Sequence, residues 1–177
     1  MKNQSATGYR SLIIMATMFI ATANLTAQND NSLKMNQEMQ TFESYKDIGY
    51  DQALRPQFHF TSLKNWHNDP NGMVWYEGEY HLFFQHNPKG IEWGNMTWGH
   101  AVSPDMVHWK QLPHAILPYG GGTIYSGTAV VDYNNCLGKQ TGATKTIVAI
   151  FSFAKEPFFQ AAAYSTDKGR TFQLVKY

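Results

Sequence analysis

Residues 66–72 read Trp-His-Asn-Asp-Pro-Asn-Gly, placing one carboxylate, Asp69, among amides with an indole ring close by. A carboxylate can attack a sugar carbon directly, and it does so best when its direction is fixed before the ligand arrives. Pro70 locks its own φ and pushes Asp69 towards an extended backbone, which supplies that fixation. Asn71-Gly72 then predicts a turn ahead of a strand, because glycine enters left-handed conformations without steric cost. Asp-Pro-Asn-Gly is equally ordinary turn chemistry with no function, so neighbouring segments must decide between the readings.

Three segments bear on that choice. Phe83-Phe84-Gln85-His86-Asn87-Pro88 ends a strand-like run in amides, and Trp93 opens Trp-Gly-Asn-Met-Thr-Trp-Gly-His. Residues 123–132 read Thr-Ile-Tyr-Ser-Gly-Thr-Ala-Val-Val-Asp. Gln85, Trp93, Tyr125 and Ser126 thus add an amide, two rings and a hydroxyl to Asp69, the set needed to hold a small polyol.

The elements that must position these residues are short. Strands are predicted at 73–76, 80–85, 97–103 and 108–112, then at 125–131, 146–153, 159–165 and 171–177, separated by Gly, Asn, Asp and Pro clusters. This even spacing argues for an all-β domain. Ser103-x-Asp105 leads to Trp109 and Leu112, while Ser165-x-Asp167 leads to Phe172 and Leu174, an echo offset by 62 residues. Four-stranded units at such a period describe a β-propeller, with a sandwich as the alternative. In a propeller, Asp69 and Asn68 would precede the first strand of one blade, and Tyr125 and Ser126 would open the first strand of the next. A propeller closes with about four to eight blades, so two blades predict an incomplete ring and a chain that looks truncated.

Composition removes several classes. Net charge is +1 over 177 residues, with no basic run for nucleic acid or a membrane surface. Lys2 and Arg10 precede an uncharged apolar stretch, Leu12–Ala23, followed by small residues, so residues 1–27 read as a secretory signal and the protein as secreted or periplasmic. The stretch is too short to span a bilayer, for which roughly 20 residues are needed, so no membrane association is expected after cleavage. Residues 28–54 read as a polar linker, with a short helix around 34–42, and 55–177 as the β domain. Cys136 is the only cysteine; it is expected to be a small buried or half-buried apolar residue. The seven histidines show no metal-ligand spacing. His100 and His108 are expected to be structural hydrogen-bonders, and His59, His81, His86 and His114 to decorate loops or strand faces. Neither metal nor cofactor is expected.

Taken together, these blocks resemble glycoside hydrolase family 32, the invertases, inulinases and levanases. The Trp-x-Asn-Asp-Pro-Asn-Gly, Phe-x-Gln-x-Asn-Pro, Trp-Gly-x-x-x-Trp-Gly-His and Ser-Gly-x-Ala-Val-Val-Asp blocks stand in the family's order, from about Arg55 to Tyr177. The resemblance implies a five-bladed β-propeller followed by a β-sandwich, of which this chain covers about the first two blades. It implies retention of anomeric configuration, with a fructose-containing oligo- or polysaccharide as the partner. Asp69 matches the nucleophile; Asn68, Gln85 and Ser126 match residues that hydrogen-bond the sugar; Trp66, Trp93 and Tyr125 match the aromatic wall. Tyr125 stands where many members have Phe. His67 occupies a variable place and receives no role.

A retaining glycosidase also needs an acid/base carboxyl about 5–5.5 Å from the nucleophile. The family supplies it from a Glu-Cys motif, and a stabilising Asp from Arg-Asp-Pro, and neither motif occurs in these residues. Glu92 reads as a solvated loop carboxylate. The expectation is therefore an enzyme whose acid/base is absent from this chain. A non-catalytic fructan-binding module and a non-functional fragment are the alternatives.

Overall fold

The computed structural model describes Tyr45 and residues 48–175, all within one compact unit, residues 42–177. The expected leader, most of the expected linker and its helix lie outside the described residues. Eight strands are present: β1 (Trp66–Tyr76), β2 (Glu79–Asn87), β3 (Thr97–Ser103), β4 (Lys110–Ile116), β5 (Thr123–Asp132), β6 (Thr146–Ala154), β7 (Phe159–Ser165) and β8 (Gln173–Leu174). They form two four-stranded antiparallel sheets, β1-β2-β3-β4 and β5-β6-β7-β8. Each sheet is a plain meander, so each is built from local hairpins. The tightest joins β1 to β2 through Glu77 and Gly78, both at positive φ. Two-residue turns of that kind match the natural twist of paired strands.

β1 begins at Trp66, well before the Met73 start expected from sequence, and it takes in the predicted turn. Register shifts at 68–69 and 72–73 explain how. Two bulges let the strand carry Pro70 and a left-handed Gly72 (φ 58°) without surrendering its pairing to β2. β4 starts two residues later than expected because Asp105 Oδ1 accepts the Val107 and His108 N–H groups (2.9 and 2.8 Å), holding them in a turn. β8 is delayed in the same way, with the Thr171 N–H held by Asp167 at 2.9 Å.

The two sheets share one core. Phe83 and Trp98 of the first sheet meet Phe151 of the second, the Trp98 and Phe151 rings lying 5.9 Å apart. Ala129, Ala149, Ala161 and Ala163 keep the facing sheet low enough to receive these rings. Close approach is sharpest at Gly72, where an added Cβ would meet Phe83 at 3.0 Å and Ala129 at 3.3 Å. At the outer side, Arg170 grips both oxygens of Glu79 (2.8 and 2.6 Å), Lys168 pairs with Glu77, and Lys145 N–H donates to Tyr76 Oη at 2.6 Å.

Two smaller expectations fail. His81 and His86 are fully buried rather than decorating a surface, because β2 is covered on both faces. His81 Nδ1 lies 3.1 Å from His100 Nε2, and His86 Nδ1 donates to Trp66 O at 2.7 Å. Cys136 is exposed: its N–H is committed to Asp132 Oδ1 (2.8 Å) in a surface turn, which leaves the thiol outside the core.

Candidate active site

The site is assembled from two bulges, one at the start of each sheet. In β1 the pairing jumps from His67↔His86 to Pro70↔Phe84, so Asn68 and Asp69 together oppose Gln85. In β5 it jumps from Ile124↔Phe153 to Gly127↔Phe151, so Tyr125 and Ser126 together oppose Ser152. A bulge breaks strict alternation and aims successive side chains where a regular strand could not. Gly127 is obligatory after the second bulge, since a Cβ there would sit 2.0 Å from Ile150 O.

Asp69 is held at both oxygens. Asn68 Nδ2 donates to Oδ1 at 3.1 Å, and Ser126 Oγ, from the other sheet, donates to Oδ2 at 2.9 Å. Trp66 Nε1 in turn donates to Asn68 Oδ1 at 2.8 Å, fixing which way that amide faces. A carboxylate offers about four lone-pair sites, so two donors orient the exposed group and leave capacity for attack. Gln85 is 3% exposed and its Nε2 has no hydrogen-bond partner among the described residues. A buried amide donor left open costs about 1–3 kcal/mol, and a ligand hydroxyl or ordered water would satisfy it. By strand alternation Gln85 shares the face of Phe83, which looks towards the second sheet.

The rings form a separate group. Trp93 is 57% exposed and lies edge-on to Tyr125, centroids 6.4 Å apart. Its loop is organised by Asn87, whose Nδ2 donates to Glu92 O (2.8 Å) and whose Oδ1 accepts Lys89 N–H (3.0 Å) and Asn95 Nδ2 (3.2 Å). The Tyr125 backbone is anchored from the first sheet by buried Trp98, whose Nε1 donates to Tyr125 O at 3.0 Å. Sequence reasoning gave no role to Asn87 or Trp98, although both stand inside the blocks it singled out. Glu92 is exposed in the same loop. His67 takes hydrogen bonds from Ser62 (3.3 Å from N, 3.1 Å from Oγ) and packs with Phe60 and Phe84, on the sheet face away from Phe83 and Gln85. Among the described residues, no group of three or more His, Cys, Asp or Glu side chains could hold a metal ion.

Asp69, Asn68, Trp66 and Ser126 are therefore joined by hydrogen bonds, Gln85 faces the first bulge across the β1–β2 pairing, and Trp93 reaches the group through Tyr125. Residues 59–177 match the sequence profile of the glycosyl hydrolases family 32 N-terminal domain. The chain belongs to glycoside hydrolase family 32. That domain is a five-bladed β-propeller, and the two sheets are blades of it. A levanase of Bacillus subtilis is 58% identical over 124 residues, and an extracellular exo-inulinase of Aspergillus awamori is 42% identical over 144. These alignments take in 70% and 71% of the chain but only 18% and 27% of the relatives. The crystal structure of the A. awamori exo-inulinase superposes with a TM-score of 0.67 at 41% identity, covering 71% of this chain and 28% of that one. A β-fructofuranosidase from Schwanniomyces occidentalis complexed with fructosyl-erythritol gives 0.67 at 37% identity, covering 74% and 27%.

Proposed function

We propose that the protein hydrolyses β-fructofuranosyl bonds of fructans or sucrose with retention, and that Asp69 is the nucleophile. The observation that carries this reading is the Ser126–Asp69 hydrogen bond of 2.9 Å between blades. It aims one carboxylate oxygen while Asn68 holds the other, beside an open Gln85 amide suited to a sugar hydroxyl. Asp69 attacks the anomeric carbon of a fructosyl unit, the bond to the leaving oxygen breaks, and a covalent fructosyl ester forms. Water then releases fructose on the same face. Trp66, Trp93 and Tyr125 present apolar ring surface to the sugar's C–H groups. The proton for the leaving oxygen comes, on this reading, from a carboxyl outside these 177 residues, since neither Glu-Cys nor Arg-Asp-Pro occurs among them. A leader at residues 1–27 would deliver the protein to the periplasm or the medium, in keeping with the extracellular exo-inulinase among its relatives.

The test uses protein expressed from the full coding sequence, supplied with sucrose, inulin and levan. Fructose release is expected, with Asp69→Ala lowering it on the order of 10⁴-fold or more while the melting temperature stays within a few degrees. Undiminished release by Asp69→Ala removes the assignment. Calorimetric binding of fructan without turnover by the unaltered protein would instead favour a non-catalytic binding module. The hydroxyl, amide and ring groups gathered here suit such a module equally.

A further inference from the structure

The two sheets are built alike, so equivalent connections leave them at the same end. In the first sheet the β2–β3 connection carries Trp93; in the second, the β6–β7 connection carries Phe158. Both rings flank Tyr125. Trp93 stands 6.4 Å from it at 64°, and Phe158 stands 6.2 Å from it at 46°. Phe158 is 55% exposed, close to the exposure of Trp93. A lone exposed ring is unremarkable, but three rings in successive contact, the middle one next in sequence to the Ser126 that bonds Asp69, are an apolar surface in want of a ligand.

The connection is also braced. Lys155 Nζ donates to Gly120 O at 2.7 Å, tying it to the turn before β5. Gln160 Nε2 donates to Ser152 Oγ at 2.8 Å, and Ser152 is the residue opposite the Tyr125–Ser126 bulge. Lys155 and Gln160, on either side of Phe158, thus tie this connection to the turn before β5 and to the residue facing the Tyr125–Ser126 bulge. The Phe158 ring meets that of Tyr125, the residue before Ser126, which with Asn68 holds the carboxylate.

We infer that Trp93, Tyr125 and Phe158 form one continuous aromatic platform, and that Phe158 receives a sugar unit of a fructan chain beyond the units held at Asp69. This rests on the fructan reading above. The platform favours chains of several units over sucrose, because only a longer ligand reaches Phe158 while its terminal unit sits at Asp69.

The experiment compares the unaltered protein, Phe158→Ala and Phe158→Trp, each from the full coding sequence, on sucrose and on a fructan tetrasaccharide. Phe158→Ala is expected to raise KM for the tetrasaccharide roughly five-fold, the worth of one ring contact, with kcat and both sucrose constants unchanged. Phe158→Trp is expected to restore KM. Equal change on both substrates, or no change on either, overturns the platform. Calorimetry of the same tetrasaccharide with the unaltered protein and Phe158→Ala separates this from the hydrolase reading. If no fructose is released but Phe158→Ala weakens binding, the platform stands and the hydrolase falls. Binding equal in the two proteins, or absent from both, overturns the platform as well.

Discussion

At their outer ends the two blades repeat in residues and in geometry, whereas at their inner ends only geometry repeats. Ser103 Oγ lies 3.0 Å from Asp105 Oδ1, Ser165 Oγ lies 2.6 Å from Asp167 Oδ1, and each aspartate N–H returns to its serine. The inner bulges are equally alike in pairing, two residues against one, yet one displays Asn68-Asp69 and the other Tyr125-Ser126. Repeated residues on repeated geometry mark what builds a blade. Different residues on repeated geometry mark, on the function proposed above, what the blades present to a ligand.

The strongest way to break that comparison is through the second bulge. Gly127→Ala forces a methyl to within 2.0 Å of Ile150 O, and it is expected to cost about 3 kcal/mol and to abolish fructose release. Gly78→Ala is the control: nothing lies within 4 Å of the added methyl, although φ is +87°. There the loss is about 1 kcal/mol, with activity retained. Equal melting temperatures for the two variants would show that the bulge is not tightly packed.

Ser126→Ala tests the chemistry carried on that geometry. Losing a hydrogen bond to a carboxylate is worth about 1.5–3 kcal/mol, so kcat is expected to fall roughly 10- to 100-fold with the fold intact. An unchanged kcat would reduce the inter-blade contact to packing.

The mildest effect concerns pH and the buried histidines, from His86 beside the first bulge to the His81–His100 pair. Burial holds the His81 imidazole below its ordinary value, takes His86 down to about 3 with His114 contributing, and keeps His100 far down with His81 contributing. Glu79 acts the opposite way on His81, and Arg170 lowers both His81 and His100. Unfolding lets these rings take up protons near pH 6.5. Their contribution to stability is therefore complete above about pH 6.5 and is lost progressively as the pH falls towards 3. Asp105 and Asp167 are held below their ordinary 3.8 and lose their contribution only in stronger acid. Thermal unfolding midpoints should stay level from pH 8 to 7 and decline from 6.5 to 4.5. A level midpoint down to pH 4.5 would mean that the histidines are not held neutral.

Much of the architecture was legible from the chain. All eight strands were anticipated, because short apolar runs between Gly, Asn, Asp and Pro clusters encode them directly, and the Ser-x-Asp echo marked the repeat. The bulges were not legible. Pro70 and Gly72 read locally as a turn, and only pairing with β2 and the pressing of Phe83 and Ala129 against Gly72 make them part of a strand. The site residues were readable as types in ordered blocks, but the bond between Asp69 and Ser126 depends on how two sheets dock. Burial of His81 and His86 was hidden for a related reason, since no periodicity reveals that a strand is covered on both faces.

Fifty-seven residues separate Asp69 from Ser126. Each sheet can zip up through neighbouring hairpins, but this bond and the Trp98–Tyr125 bond close only when the finished sheets meet, and non-local closure is the slow part of β folding. The first blade alone therefore holds its carboxylate through Asn68 at one oxygen only. The final direction of that carboxylate waits on the second blade, because Ser126 reaches Asp69 only after residues 123–174 have folded against the first sheet.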